Sequence, residues 1–280
     1  MECPICTNIF TIDKINDHVT ICIETIDTSV DAIDLTPTQK KAIEYCKKKS
    51  RALSSQTYYN VLIKGVALGH SESKVKKLLN NFSKRVELAI NFHFAHLDHF
   101  IRDGLYKNLF ETGTSSGCTI TATRMVWENS LFNKIYSQDC APSERVKYGS
   151  LHLFNTKYAP KISMAYGECA MILKDKVKDR TSFVVGDSSM MQFQIGTIEY
   201  SNVVLNLMND SLFDNLIKYY NDEPYNPDVA VEYIEIQIHG LLRMMHDVEA
   251  MYIPSKYDTP DNKIKFEELF EKFGIVCYFY

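Results

Sequence analysis

No run of apolar residues in this 280-residue chain approaches the roughly 20 needed to cross a bilayer, so a membrane-spanning helix is not expected. An excess of positive charge is also lacking. Net charge is −4 and the Lys and Arg residues do not gather into one stripe, so the electrostatic footprint of a nucleic-acid binder is missing. The opening residues, Met1-Glu2-Cys3-Pro4, lack a basic segment followed by an apolar core, and no secretory signal is expected there. Internal repeats and low-complexity tracts are absent as well. What is present is apolar material for a large core: 45% of residues are hydrophobic, enough for one large domain plus an appendage. Three of the eight cysteines fall within the first 22 residues, and Cys46, Cys118, Cys140, Cys169 and Cys277 are scattered singly. Metal-bound thiolates at one end and unpaired thiols elsewhere suit a reducing compartment, so an intracellular protein, cytoplasmic or nuclear, is expected.

Cys3, Cys6, His18 and Cys22 give the spacing C-x2-C-x11-H-x3-C. The first pair brackets a turn containing Pro4, and the second pair is four apart, on one face of a helix. Four soft ligands make a closed tetrahedral shell, the mark of structural zinc. A segment this short has almost no core, so metal binding supplies its folding energy. The segment resembles the CCHC ubiquitin-binding fingers of the UBZ type, in which the helix around the ligating His packs on ubiquitin's hydrophobic patch. Here that helix carries Ile15, Asp17, Val19, Thr20 and Ile21. The alternative is a nucleic-acid finger, but only Lys14 is basic between the first and last ligand, and phosphate binding needs several cations.

Residues 23–35 are acidic and β-branched without helical period, and read as a tether. The expected division is a finger over 1–25, a linker over 26–35 and a second domain over 36–280. Thr36 can cap a helix that begins at Pro37, with Ala42, Ile43 and Cys46 on one face. A second helix is expected from Ser73 to about Lys84, with Val75, Leu78, Leu79 and Phe82 as its apolar stripe. Val86, Leu88, Ile90 and Phe92 alternate as in a strand, leaving Asn91 and His93 on the opposite face. Strands are also expected near 119–123, 149–154, 168–173, 182–185 and 231–239, a helix near 202–220, and a closing strand over 275–278. Few helices after the first third and mixed connection lengths argue for an α+β fold with a mostly antiparallel sheet. A monomer is expected.

The strand at 231–239 places Ile234, Ile236 and Ile238 on one face and Tyr233, Glu235, Gln237 and His239 on the other. The second face is either solvated or functional. His93, His96 and His99 lie three apart, a possible metal site, although no Glu completes an H-E-x-x-H frame. His246-Asp247 matches the dipeptide of an HD-type phosphohydrolase, with nothing beyond the dipeptide to support that reading. The stretch Phe110-Glu-Thr-Gly-Thr-Ser-Ser-Gly117 either cradles a phosphate with its N–H groups or is a surface turn, and it lacks the Lys of a P-loop.

In order along the chain come Ile90-Asn-Phe-His-Phe94, Phe110–Gly117, Glu144-Arg-Val-Lys-Tyr-Gly-Ser-Leu151, Tyr166-Gly-Glu-Cys169, Thr181-Ser-Phe-Val-Val-Gly-Asp-Ser188, Tyr233-Ile-Glu-Ile-Gln-Ile-His-Gly240 and Asp247-Val-Glu249. This ordered set, spread over residues 75–255, resembles the CteC-like family, which attaches ADP-ribose from NAD to a threonine of ubiquitin. The resemblance implies an ADP-ribosyltransferase-like split sheet carrying three functional positions. His93 stands at the first, binding the NAD adenosine or ribose. Tyr148, or Ser150 beside it, stands at the second, packing on the nicotinamide. Glu235 stands at the third, binding a ribose hydroxyl and stabilising the oxocarbenium-like centre. Thr112, Gly113, Ser150 and Gln237 are the further NAD-binding candidates. Many transferases read Q/E-x-E with the second acid catalytic, whereas this chain reads Glu235-Ile-Gln237. Either Glu235 is itself catalytic, the preferred reading, or the register differs and Glu249 is the reserve. The expectation is therefore a mono-ADP-ribosyltransferase with ubiquitin, free or in chains, as partner, NAD as substrate and one structural zinc. The rivals are a metal-dependent hydrolase using the His93–His99 cluster and a non-catalytic ubiquitin adaptor. Labelled NAD separates the first from both, and metal content beyond one zinc tests the second.

Overall fold

The computed structural model describes residues 35–115, 117–190, 194–228 and 232–280. The four finger ligands Cys3, Cys6, His18 and Cys22, and all of the linker but its last residue, lie outside the described residues.

The first helix among the described residues, α1 (Pro37–Ala67), starts where Thr36 and Gln39 form a reciprocal capping box, each side chain accepting from the other's backbone N–H. Its buried positions are Gln39, Ala42, Cys46, Ser50, Thr57, Val61 and Gly65. That stripe of mostly small side chains lets the helix lie close to its neighbours. A Cβ on Gly65, for example, would fall 2.3 Å from Val75 Cγ2. Helix α2 (Glu72–Arg85) buries the expected Val75, Leu78 and Phe82. There follow β1 (Glu87–Phe92), α3 (Leu97–Asp103), β2 (Leu105–Tyr106), α4 (Leu109–Thr112), α5 (Thr121–Leu131), β3 (Lys147–His152), β4 (Cys169–Leu173), β5 (Thr181–Val185) and β6 (Gly196–Thr197). The chain continues through α6 (Asn202–Leu207), α7 (Asp210–Tyr220), β7 (Ile234–Ile238), β8 (Leu242–Arg243), α8 (Met244–Asp247), β9 (Val248–Ile253), α9 (Pro260–Phe273) and β10 (Val276–Phe279).

Eight of the strands form one sheet in the order β10-β9-β4-β1-β3-β7-β5-β6. Every pairing is antiparallel except β9 with β10. The α+β, mostly antiparallel expectation holds. Three local expectations do not. Residues 119–123 are no strand: β-branched Ile120, Thr121 and Thr123 suggest one, but Thr121 opens α5, whose buried positions are Glu128 and Leu131. A buried carboxylate hides the helical period. The single helix expected over 202–220 is broken at Met208, and Asn209 caps the second half by accepting from Leu212 N at 2.9 Å. Strand β10 is the expected last strand and ends the sheet at its edge beside β9, whereas helix α9, which starts at Pro260 in the first turn, adds to the helices after the first third, where few are expected.

The sheet's two faces are unlike. One carries Leu88, Ile90, Phe92, Met171, Phe183, Ile234, Ile236 and Ile238 into a core shared with Val75, Leu78 and Phe82 of α2 and Leu212, Phe213 and Leu216 of α7. On the other, register aligns Ala89 with Ser150, Ser150 with Glu235 and Glu235 with Val184, and alongside them Tyr148 with Gln237 and Gln237 with Ser182. This polar-bearing face is covered at one end by a smaller cluster of Ala42, Cys46, Phe132, Tyr136, Val146, Val184 and Ile195. Its remainder forms the floor of a cavity. Among the described residues no helix is long and apolar enough to cross a membrane.

Candidate active site

A cavity of about 840 Å³ opens over β1, β3 and β7, within the size range of small-molecule sites. Its floor includes Asn91, Tyr148, Ser150 and Glu235, and its walls include Phe110, Arg124, Trp127, Tyr166 and Tyr233. On the face left open between solvated and functional, Tyr233 is half-buried, Glu235 is 4% exposed, and Gln237 and His239 are not exposed at all. Period two puts them on one side, but only the neighbouring strands and helices cover that side.

Glu235 is held from two directions. Gln237 Nε2 donates to Oε1 at 2.9 Å, and the Ser188 N–H approaches Oε2 at 3.5 Å. Gln237 is in turn fixed by Ser182 Oγ, which donates to its Oε1 at 2.8 Å. Burial pushes the Glu235 carboxyl up to about 7, against the pull of its hydrogen bonds to Ser188 and Gln237 and with a further push from the charge of Asp187. Ser150, directly opposite Glu235, heads a chain of polar contacts. Its Oγ meets Ser163 Oγ at 3.0 Å, Ser163 Oγ donates to Asn91 Oδ1 at 2.8 Å, and Asn91 Nδ2 donates to Gly167 O at 2.9 Å. Gly167 has φ +141, and a Cβ there would lie 2.0 Å from the Phe92 carbonyl carbon. Only glycine lets the segment just before β4 approach the end of β1 so closely.

Tyr148, diagonal to Glu235, is half-buried. Its hydroxyl donates to Glu128 Oε1 at 3.4 Å, and the Arg124 guanidinium sits 5.2 Å from its ring and 5.6 Å from that of Trp127. Arg124, Trp127 and Glu128 share one face of α5 by their i, i+3, i+4 spacing. Glu128 is fully buried and accepts from Arg145 Nη1 at 2.6 Å. Burial pushes the Glu128 carboxyl up to about 7, offset in part by the Arg145 charge. Arg145 itself stacks over Phe110 at 4.4 Å. Beside them the Lys147 ammonium is buried, donates to Ser143 O at 3.1 Å, and is pushed down to about 8 by burial.

His93 is at the rim, its Nδ1 3.2 Å from Glu168 Oε2. Burial raises Glu168, but hydrogen bonds from Tyr257 and His93 outweigh it and hold the carboxyl down at about 2. Thr112 also lines the cavity, and its Oγ1 donates to Asn108 O at 3.1 Å. Gly113 closes α4 with φ +70 and is not among the lining residues. Gln237 is not either: it positions Glu235 from behind. Glu249 is exposed on β9, away from the cavity lining. His93, His96 and His99 all line the rim, with successive ring centroids 6.0 and 6.5 Å apart. Among the described residues no group of three or more His, Cys, Asp or Glu is placed to hold a metal ion. His246-Asp247 is no acid–base pair facing a cavity. Asp247 is buried, accepts from Arg243 N at 2.7 Å and pairs with Arg180 at 3.1 Å, while His246 is half-buried, and neither lines the cavity.

Asn91, Arg124, Trp127, Glu128, Ser163 and Asp187 belong to the site without having been singled out for it from sequence. For α5 the signal was available in the i, i+3, i+4 spacing of Arg124, Trp127 and Glu128. For Ser163 and Asp187, which sit in irregular segments, sequence periodicity offered none.

Residues 87–224 match a family described as a protein of unknown function (DUF3626). The matched stretch runs from β1 to beyond α7 and includes His93, Tyr148, Ser150 and Asp187, but stops before β7 and Glu235. Over 178 residues the chain is 28% identical to the Gene 2 protein of Mycobacterium phage D29, covering 59% of this chain and 64% of the phage protein. The chain thus spans just under two thirds of that relative's length.

Proposed function

We propose that this chain is a mono-ADP-ribosyltransferase that moves ADP-ribose from NAD to ubiquitin, on a threonine hydroxyl, and that its N-terminal finger, with zinc held by Cys3, Cys6, His18 and Cys22, recruits the ubiquitin. The observation that carries the reading is the placement of Glu235. It is a buried carboxylate on β7, facing an open cavity, directly across from Ser150 and diagonal to Tyr148 on the adjacent β3. That placement supports the middle- and late-strand roles that the resemblance implies for Tyr148 or Ser150 and for Glu235. The cavity suits a dinucleotide: its volume is about 840 Å³, Tyr148, Trp127 and Phe110 offer ring faces for flat heterocycles, and Arg124 offers a cation between two of them.

Nicotinamide is a good leaving group once positive charge on the ribose is stabilised, so the protein's contribution is mainly electrostatic and positional. Ionised Glu235 would accept a hydrogen bond from a ribose hydroxyl and stabilise the developing charge at the adjacent carbon. Tyr148 would hold the nicotinamide ring, and His93 at the rim would meet the adenosine end. Incubation with ubiquitin and NAD, followed by mass spectrometry of ubiquitin, tests the reading. Ubiquitin should gain the mass of one ADP-ribose with wild-type protein and not with Glu235→Gln. Unchanged ubiquitin and intact NAD would instead favour a non-catalytic ubiquitin adaptor.

A further inference from the structure

Three carboxylates besides Glu235 line the same cavity: Asp103, which is paired with Arg102 and Lys107, Glu111, which accepts from Asn108 N, and Asp187. Asp187, in the turn after β5, lines it together with Glu235, Tyr166 and Tyr233. The backbone puts it there. Val185 pairs with Ile234 at the end of the β5–β7 ladder, Gly186 N donates to Tyr233 O at 2.7 Å, and Ser188 N approaches Glu235 Oε2 at 3.5 Å. Asp187 is therefore clamped between two residues that touch β7 at positions 233 and 235. The two carboxylates have opposite settings. Glu235 is buried at the floor and held by Gln237, whereas Asp187 is half-buried.

The turn by itself does not call for a charge at 187. Asp187 Oδ1 accepts from Ser189 N at 2.8 Å, a contact that asparagine makes equally well. A carboxylate there also adds to the burial that already disfavours an ionised Glu235, so its charge is a cost to the local structure. Of the other carboxylates in the cavity, Asp187 is the one whose charge acts on Glu235, and neighbouring carboxylates with unlike surroundings are how a site divides two roles.

We propose that Asp187 is the general base that takes the proton from the acceptor hydroxyl, an inference that rests on the ADP-ribosyl-transfer reading. The acceptor oxygen forms a bond to the ribose anomeric carbon as the bond from that carbon to the nicotinamide nitrogen breaks. The bonding pair leaves with the nicotinamide, which departs neutral, and the acceptor's proton passes to an Asp187 oxygen. Glu235 stays ionised throughout.

The test uses Asp187→Asn in the full chain, with two nucleophiles: ubiquitin, whose hydroxyl must lose a proton, and azide, which has none to lose. Transfer to ubiquitin should fall about 10²-fold, the scale of a lost general base. At about pH 9, where Glu235 is ionised with or without the Asp187 charge, the NAD dissociation constant, measured by calorimetry, and azide-dependent release of nicotinamide should both stay within about twofold of wild type. Glu235→Gln should lose cleavage with either nucleophile. Transfer to ubiquitin by Asp187→Asn within about threefold of wild type would overturn the assignment while leaving the transferase reading intact. A parallel fall in azide-dependent cleavage would also overturn it, because Asp187 would then act on NAD or on Glu235 instead. If wild-type protein releases no nicotinamide with either nucleophile, the transferase reading itself fails, and this assignment with it.

Discussion

At Glu235, stability and chemistry make opposite demands on one side chain. Burial favours the neutral acid, while the proposed role needs the anion. With the native carboxyl at about 7 against an ordinary value of 4.5, the folded state holds this proton more tightly than the unfolded chain. The stabilisation is therefore fully present below about 4.5 and is lost as pH rises through about 7. Glu235→Gln removes the dependence, so the stability of the variant relative to wild type should rise by about 2–3 kcal/mol between pH 4.5 and 8. Urea unfolding at both pH values measures this, and a constant difference would mean that Glu235 is not desolvated as described. Cleavage of NAD by the wild type should increase as pH rises through about 7, as the anion forms, with Asp187, Tyr148, Tyr166 and Tyr233 the titratable groups around it. At Gly167 the demand is steric. Gly167→Ala brings a Cβ to 2.0 Å from backbone at the end of β1, where nothing flexible can yield. A loss of about 3 kcal/mol or more, or failure to fold, is expected in a thermal melt.

Among the elements, α1 and α5 position the site in different ways. Helix α1 is fixed at its start by the capping box and by Gln39 Nε2, which donates to Glu144 O at 2.8 Å just ahead of β3. Thr36→Ala should cost about 1 kcal/mol of unfolding free energy, and a neutral result would show that tertiary packing alone sets the helix start. Helix α5 is held by the buried Glu128–Arg145 pair. Arg145→Ala leaves the Glu128 carboxylate without its cation in a dry site, and about 3–5 kcal/mol of stability should be lost. The double variant Glu128→Gln with Arg145→Ala should recover part of that loss, because no charge is then stranded. Sequence made α1 and α2 legible because each carries a strong start signal or a clean apolar stripe. It misplaced α5 because the inward face of that helix is built from an arginine, a tryptophan and a glutamate, which no apolar period describes.

For the molecule as a whole, the proposal divides labour between a finger that would gather ubiquitin and a domain that would modify it. Cys6→Ser should remove about one zinc per chain by elemental analysis, while a fragment of residues 36–280 should keep the fold described here and contain none. Full zinc occupancy in that fragment would place the metal elsewhere. Deleting residues 1–30 should slow modification when ubiquitin is scarce and matter little when it is saturating, because a short tether raises local concentration to roughly millimolar. The alternation of isoleucines in 234–238, the period of α2 and the cap at Thr36 were fixed by local sequence, since strand and helix periods decide which side chains share a face. Sequence order also brought His93, Tyr148, Ser150 and Glu235 forward as candidates. It did not decide that β7 lies between β3 and β5, that its polar face is buried, or that Gln237 braces Glu235 and does not line the cavity. Those depend on contacts between residues as far apart as Ser182 and Gln237 or Asn91 and Ser163. Such pairings are set by how strands assemble, and no period along the chain carries that information.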